Sequence, residues 1–116
     1  GSGIIFGEET AVEPRGRITH GCMGIWSDAH TAPLARIAAL YKRFGAIPAI
    51  QIAHAGRKAS TQRPWEGNQA LGPADAARGD APWAVVGPSP EPVGPGWPVP
   101  HPLSLDEIRT VAPATA

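Results

Sequence analysis

The stretch "IPAIQIAHAGRKAS", residues 47–60, decides the fold that we expect, because it changes abruptly from apolar to basic. Residues 47–53 form a short apolar run with one polar side chain, Gln51, and such a run is typical of a buried strand. His54, Arg57 and Lys58 follow directly after it. The pattern predicts a strand that carries an isolated amide and ends in a loop of basic side chains.

A helix and a second apolar run precede this stretch and complete a βαβ unit. Residues 3–8, "GIIFGE", predict another short buried strand. Between the two runs, apolar side chains recur at helical spacing, at Leu34, Ile37, Ala38, Tyr41 and Phe44. Ser27 is the candidate N-cap, Pro33 favours a helix start near Thr31, and Gly45 is expected to end the helix. Strands connected in this way are parallel, and we expect both to be buried on both faces.

The composition changes after residue 59, where Pro and Gly become frequent and three of the four Trp occur. We therefore divide the chain into a βαβ unit (1–59), an excursion (60–103) and a truncated helix (104–116). The excursion is expected to be ordered, with short hairpin strands around "WAVVGPS", residues 83–89. Ser104 and Glu107 form a capping box, but Pro113 interrupts the helix soon afterwards. Both ends of the chain look cut on this interpretation.

Charge and cysteine content exclude several classes of protein. The 116 residues carry ten basic and ten acidic side chains and no basic run, which argues against nucleic acid or a membrane surface as a partner. The single cysteine, Cys22, excludes an internal disulfide framework and favours a reducing, cytoplasmic location. No apolar stretch approaches the ~20 residues of a membrane span, and no signal peptide is recognisable.

The residues at the predicted strand ends are the candidates for chemistry. Gln51 is either a satisfied structural amide or a partner for a heterocycle with alternating donors and acceptors. His54 is a candidate acid–base group, although a single His is more often structural. Arg57 and Lys58 could meet an anion or remain solvated. The adjacent Glu8 and Glu9 are expected on opposite faces of their strand, and the His and Cys spacing gives no metal site.

Three segments, taken in order, resemble the old yellow enzymes, which are FMN-dependent ene-reductases. They are "GEETAVEPRGRITHGCMGIWSD" (7–28), "IQIAHAGRKASTQRPWEG" (50–67) and "LSLDEI" (103–108), and the similarity is strongest to the xenobiotic-reductase or thermophilic-like NADPH dehydrogenase branch. The resemblance implies a partial TIM (β/α)8 barrel that covers about strand 2 to the start of helix 3. The excursion then matches the lid-like segment that the family places after strand 3.

The resemblance also implies roles for individual residues. Gln51 matches the glutamine that hydrogen-bonds the FMN pyrimidine ring. Glu9 stands where the family has a small Ala, and a carboxylate there is expected to repel a reduced flavin unless it turns away. Lys58 matches a lysine near the active-site entrance, and His54 and Arg57 share its motif in structural or flavin-edge roles.

The family's catalytic groups match no position of this chain, so we expect no catalytic residue among residues 1–116. The implied cofactor is FMN, the reductant NADPH or NADH, and the substrate a small activated alkene, with a homo-oligomeric parent enzyme left open. The 116 residues alone are expected to be inactive and to hold no stoichiometric FMN. The alternatives are a non-catalytic truncated product, or a polyproline II ligand formed by residues 88–102, "PSPEPVGPGWPVPHP".

Overall fold

The computed structural model describes residues 1–111 and shows an α/β fold with two small parallel sheets. The larger sheet has the order β2-β1-β3 and is built from β1 (Ile4–Ala11), β2 (Met23–Gly24) and β3 (Ile47–Ala53). Both β2 and β3 pair with the central β1 in parallel. The predicted α/β class, the parallel pairing and the bounds of the second predicted strand are confirmed.

Strand β1 extends beyond the predicted residues 3–8, as far as Ala11. Its last two residues are held from both sides: Thr10 pairs with Met23 of β2 and with Ile52 of β3, and Ala11 pairs with Gly24 and Ala53. Both Thr10 and Ala11 are fully buried. The predicted strand was too short because the polar residues Glu8 and Glu9 interrupt the apolar run.

The helix between the two long strands, α1 (Thr31–Arg43), begins at Thr31 and ends before Gly45 as predicted, but Ser27 is not its N-cap residue. The Ser27 hydroxyl accepts a hydrogen bond from the Ala29 amide and caps a short 3-10 turn, Asp28–His30, that leads into α1. Gly45 has φ +76°, the left-handed conformation that ends many helices and that favours glycine. The apolar side of α1 faces β1 and β3 across a cavity of about 230 Å³.

The expectation that both strands are buried on both faces was wrong. Ile4, Phe6 and Ile47 remain 54%, 68% and 63% exposed. Ile4 and Ile47 are register partners in the paired strands, so they lie on the same face. Helix α1 covers one face of the sheet, whereas the other face is left largely uncovered by the described residues at Ile4, Phe6 and Ile47. We refer to it as the open face.

The excursion is ordered but contains no hairpin within the described part of the chain around residues 83–89. Its regular elements are α2 (Pro73–Ala77), β4 (Val86–Gly87) and β5 (His101–Pro102). Strand β4 pairs with β5 in parallel, so the hairpin predicted around residues 83–89 was wrong, and antiparallel pairing occurs instead as an isolated bridge between Thr61 and Ala70. The Pro- and Gly-rich segment between them is long enough to return the chain to the same end of β4, which a tight turn cannot do.

The last described helix, α3 (Leu105–Val111), begins with the predicted capping box. The Ser104 hydroxyl accepts from the Glu107 amide at 3.2 Å, and the Glu107 carboxylate accepts from the Ser104 amide at 2.7 Å. Pro113 and the predicted end of this helix lie outside the described residues. Together with β5, the capping box fixes the point where the excursion returns to a helix.

Candidate functional site

The candidate site lies where β1 and β3 end side by side. In parallel α/β folds, loops converge at the carboxyl ends of the strands and carry the functional groups. A β-bulge interrupts the pairing here, because Gly7 pairs with Ile50 whereas Glu9 pairs with Gln51. Glu8 is the extra residue of the bulge, and it brings Glu9 into register with Gln51.

Gln51 is exposed and not buried, which corrects the burial assumed from the apolar run. It lies on the open face, the same face as Ile47, because side chains four residues apart in a strand point in one direction. No hydrogen bond joins its side-chain amide to another of the residues 1–111. The amide therefore offers a donor and an acceptor to a ligand on the open face.

Glu8 and Glu9 line one cavity of about 370 Å³, contrary to the prediction that they separate to opposite faces. The bulge is the reason, because an extra residue breaks the alternation of a regular strand. The cavity lies between the loop after β1 and the start of the excursion, and its other lining residues include Thr19, Cys22, Arg63, Trp65 and Asn68. Both carboxylate oxygens of Glu9 are buried there without a hydrogen-bond partner.

Arg63 lines the same cavity but is already paired. Its guanidinium donates to Asp80 at 2.6 Å and to Glu66 at 3.3 Å. The hydrogen bond from Arg63 holds the pKa of Asp80 below its ordinary value, and the same bond raises the pKa of Arg63. Arg63 is consequently a structural cation of the excursion and leaves Glu9 unpaired.

His54 has both ring nitrogens occupied. Its Nδ1 accepts from the Gly56 amide at 3.0 Å, so Nε2 carries the proton that is donated to Glu13 at 2.7 Å. Burial raises the pKa of Glu13, but hydrogen bonds from Arg15 and His54 and the charge of Arg15 outweigh it and keep the pKa below its usual value. The His54 ring thus joins the end of β3 to the loop after β1.

Gly16 allows the loop after β1 to pack closely against the His54 ring. A Cβ at Gly16 would lie 2.9 Å from Cδ2 of His54, closer than real side chains approach. The Gly16 carbonyl also accepts from the Ala55 amide at 2.8 Å. The backbone of the "PRGR" turn therefore packs against the His54 ring of the "HAGR" turn. In this geometry His54 holds the two turns in position.

Arg57 and Lys58 lie in a 3-10 turn, Gly56–Lys58, at the surface. Both side chains are exposed, and Arg57 makes one long ion pair with Glu91 at 3.8 Å. Neither residue lines the cavity that contains Glu9. The structure brings Glu9 and Gln51 together and keeps the basic residues apart from them.

Sequence reasoning missed the residues that fasten the excursion over the strand ends. Trp83 donates its indole N–H to the Arg15 carbonyl at 3.1 Å. The Arg17 guanidinium lies 5.1 Å from the ring centre of Trp83 and 5.6 Å from that of Trp26. The aromatic residues and the "RGR" stretch are visible in the sequence, but only the fold shows that they meet.

Two negative findings apply to the described part of the chain. Residues 1–111 contain no group of three or more His, Cys, Asp or Glu side chains arranged to hold a metal ion. Among the same residues, no helix has the length and hydropathy needed to traverse a lipid bilayer.

About half of the chain is similar in sequence to known proteins. An NADPH dehydrogenase of Bacillus licheniformis is 50% identical over 60 residues, which are 52% of this chain and 18% of that protein. The NADPH dehydrogenase of Bacillus subtilis is 47% identical over 60 residues, with the same shares of 52% and 18%. An NADH:flavin oxidoreductase of Gibberella zeae is 43% identical over 65 residues, which are 56% of this chain and 16% of that protein.

The match covers less than a fifth of the length of each of these curated relatives. No family model matches the chain. Identities of 43–50% over some 60 residues nevertheless agree with the family motifs in the sequence. Over about half of its residues the chain is therefore similar to proteins named NADPH dehydrogenase and NADH:flavin oxidoreductase, which supports the resemblance to the old yellow enzymes predicted from its sequence.

Proposed function

We propose that the protein containing these residues is an FMN-dependent NAD(P)H oxidoreductase that reduces activated C=C bonds. The observation that carries the proposal is the free amide of Gln51, exposed on the open face at the carboxyl end of a parallel strand. The relatives that bear the names NADPH dehydrogenase and NADH:flavin oxidoreductase supply the reaction class. The proposed fold of the whole protein is a TIM barrel. This chain would contribute barrel strands 2 and 3, which are β1 and β3 in the present numbering, and a lid-like excursion.

The residues present fit a flavin on the open face. Gln51 can donate to and accept from the edge of a pyrimidine ring, because no other described residue engages its amide. Glu9 is the register partner of Gln51 and so shares its face, where its carboxylate oxygens are buried and not exposed to solvent. The proposed cofactor would therefore lie close to a buried carboxylate, and the fit of the site rests on the amide of Gln51.

The chain's own residues then have three roles. Gln51 would hold and orient the flavin, which when bound supplies hydride transfer from NAD(P)H to the substrate. His54 would hold the two strand-end loops in place through Glu13 and Gly56. Trp83 and Arg17 would fix the excursion over those loops.

Other features of the proposal follow the family resemblance. Lys58 and Arg57 are proposed to lie near the entrance for substrate, since both are exposed on the turn after β3. The substrate is proposed to be a small electron-poor alkene, and no residue among 1–111 is assigned as catalytic. Nucleic acid and membranes are not proposed as partners, and the cytoplasm is the proposed location.

The proposal is tested with the protein expressed from the complete reading frame that contains residues 1–116. We expect bound FMN, identified by its absorbance after gel filtration, and oxidation of NADPH or NADH that depends on an α,β-unsaturated carbonyl compound. Gln51→Ala should weaken FMN binding by about tenfold, the effect of losing one or two hydrogen bonds. Gln69→Ala is the matched control, because Gln69 is an exposed amide of the excursion.

Stop codons that closely flank residues 1–116, or a purified protein without flavin, would contradict the proposed function. Equal FMN affinity in the Gln51→Ala and Gln69→Ala variants would contradict the role of Gln51 alone. The 116-residue chain by itself is expected to lose added FMN on gel filtration, since one wall of the site is all that it supplies.

A further inference from the structure

Glu9 lies at the strand ends but has no active role in the proposed function. The bulge at Glu8 sets Glu9 in register with Gln51, and neighbouring strands in a sheet lie about 4.8 Å apart. Its carboxylate oxygens are buried and accept no hydrogen bond from another described residue. A buried carboxylate is normally paired or hydrogen-bonded, because removal from water without compensation is costly.

The charged neighbours of Glu9 do not neutralise it. Glu8 lines the same cavity and adds a second acidic group, although it is exposed to solvent. The one guanidinium that lines the cavity belongs to Arg63, which is held by Asp80 at 2.6 Å and by Glu66 at 3.3 Å. The charge of Glu9 is therefore uncompensated by the described residues around it.

A buried charge of this kind acts over a longer range than an exposed one. Solvent and salt screen an exposed carboxylate strongly, whereas a buried group is screened much less. Any process that adds negative charge near Gln51 would be opposed by Glu9 more than by Glu8. Reduction of a flavin is such a process, because transfer of a hydride from NAD(P)H, which leaves as NAD(P)⁺, brings two electrons and one proton to a neutral ring.

We propose that the buried carboxylate of Glu9 lowers the reduction potential of the flavin held by Gln51. The inference rests on the proposed function and names a residue that tunes it. Glu9 would favour the oxidised over the reduced cofactor and so increase the tendency of the reduced cofactor to pass its hydride on. The residue would act through its charge without touching the substrate.

The test compares reduction potentials in the protein expressed from the complete reading frame, by equilibration with a reference dye. Glu9→Gln keeps the shape of the side chain and removes its charge. We expect the binding of reduced relative to oxidised FMN to rise by at least about tenfold, which corresponds to a potential higher by about 30 mV. Glu9→Ala, a second variant that does not depend on burying an amide, should shift the potential in the same direction.

Glu8→Gln is the matched control, because it removes an adjacent but exposed carboxylate. A potential that stays the same in both Glu9 variants would overturn the inference and leave the proposed function intact. A shift as large in Glu8→Gln as in Glu9→Gln would also overturn it, since burial would then be irrelevant. Absence of flavin from the wild-type protein and the variants would overturn the proposed function and the inference together.

Discussion

The βαβ unit (residues 1–59) leaves large apolar side chains exposed, whereas the excursion (residues 60–103) buries polar ones. The βαβ unit has long regular strands, yet Phe6 is 68% exposed on its open face. The excursion has little regular structure, yet it buries polar side chains such as Ser60, Thr61 and Asp75. The difference teaches that regular elements alone do not make a core, because a strand needs a layer against each face.

Hydrogen bonds explain the order of the excursion. The Asp75 carboxylate accepts from the Gly72 amide at 2.8 Å and from the Gln62 side chain at 3.0 Å, and it pairs with Arg78. These bonds keep the pKa of Asp75 below its ordinary value, with the Gly72 amide as the largest cause. A polar centre of this kind is stable only when every member has its partner. The buried carboxylate of Glu9 in the βαβ unit has no such partner among the described residues.

The largest expected effect comes from removing the centre of that network. Asp75→Ala leaves the Gly72 amide and the Gln62 side chain without their acceptor, so the excursion should open locally. We expect proteolytic cleavage within residues 60–103 to accelerate by about tenfold or more while cleavage in α1 changes little. Asp106→Ala, which removes an exposed carboxylate of α3, is the control. Equal protection of the excursion in both variants would show that it does not depend on this network.

An intermediate effect is expected at the boundary between the excursion and α3. Hydrogen bonds from the Ser104 amide and hydroxyl, with a further contribution from His101, lower the pKa of Glu107 from 4.5 to about 2. Because the folded-state pKa is depressed, the stabilisation is present above pH 4.5 and is lost as the pH falls towards 2. The amide resonances of residues 104–108 should therefore report fraying of α3 over this range.

Glu107→Gln provides the control for the acid transition, because it removes the titrating group and keeps most of the capping geometry. The variant should lose the pH dependence of the same resonances between pH 4.5 and about 2. An unchanged acid profile in Glu107→Gln would assign the transition to another group.

The smallest effect is expected on the open face. Phe6→Gln in the 116-residue chain should change the free energy of unfolding by less than about 0.5 kcal/mol, because the ring is already exposed to water. Val12→Ala should cost more than about 1 kcal/mol, because Val12 is buried. Chemical denaturation of both variants measures the contrast, and a large loss in Phe6→Gln would mean that the open face is covered in solution.

The polyproline alternative for residues 88–102 is the weaker interpretation in this structure. Pro100 is fully buried, and His101 and Pro102 pair with β4. A ligand for a proline-binding domain needs an accessible extended segment, and the last part of this stretch is instead packed within the chain.

Sequence patterns predicted the elements that depend on interactions between residues close together in the chain. The bounds of α1 and β3, the left-handed Gly45 and the Ser104–Glu107 capping box all depend on neighbours within a few residues. Parallel pairing was also predictable, because a strand–helix–strand connection has one common geometry. The importance of Gln51 and Glu9 was indicated by the family resemblance and not by such local patterns.

The tertiary structure alone decided how those positions are placed. Whether Gln51 is buried depends on what covers the open face, and the bulge that aligns Glu9 with it depends on pairing between distant strands. The contact of Trp83 with Arg15 joins residues 68 positions apart. Sequence patterns encode local geometry and hydropathy, whereas exposure, register and charge compensation arise only when distant segments meet.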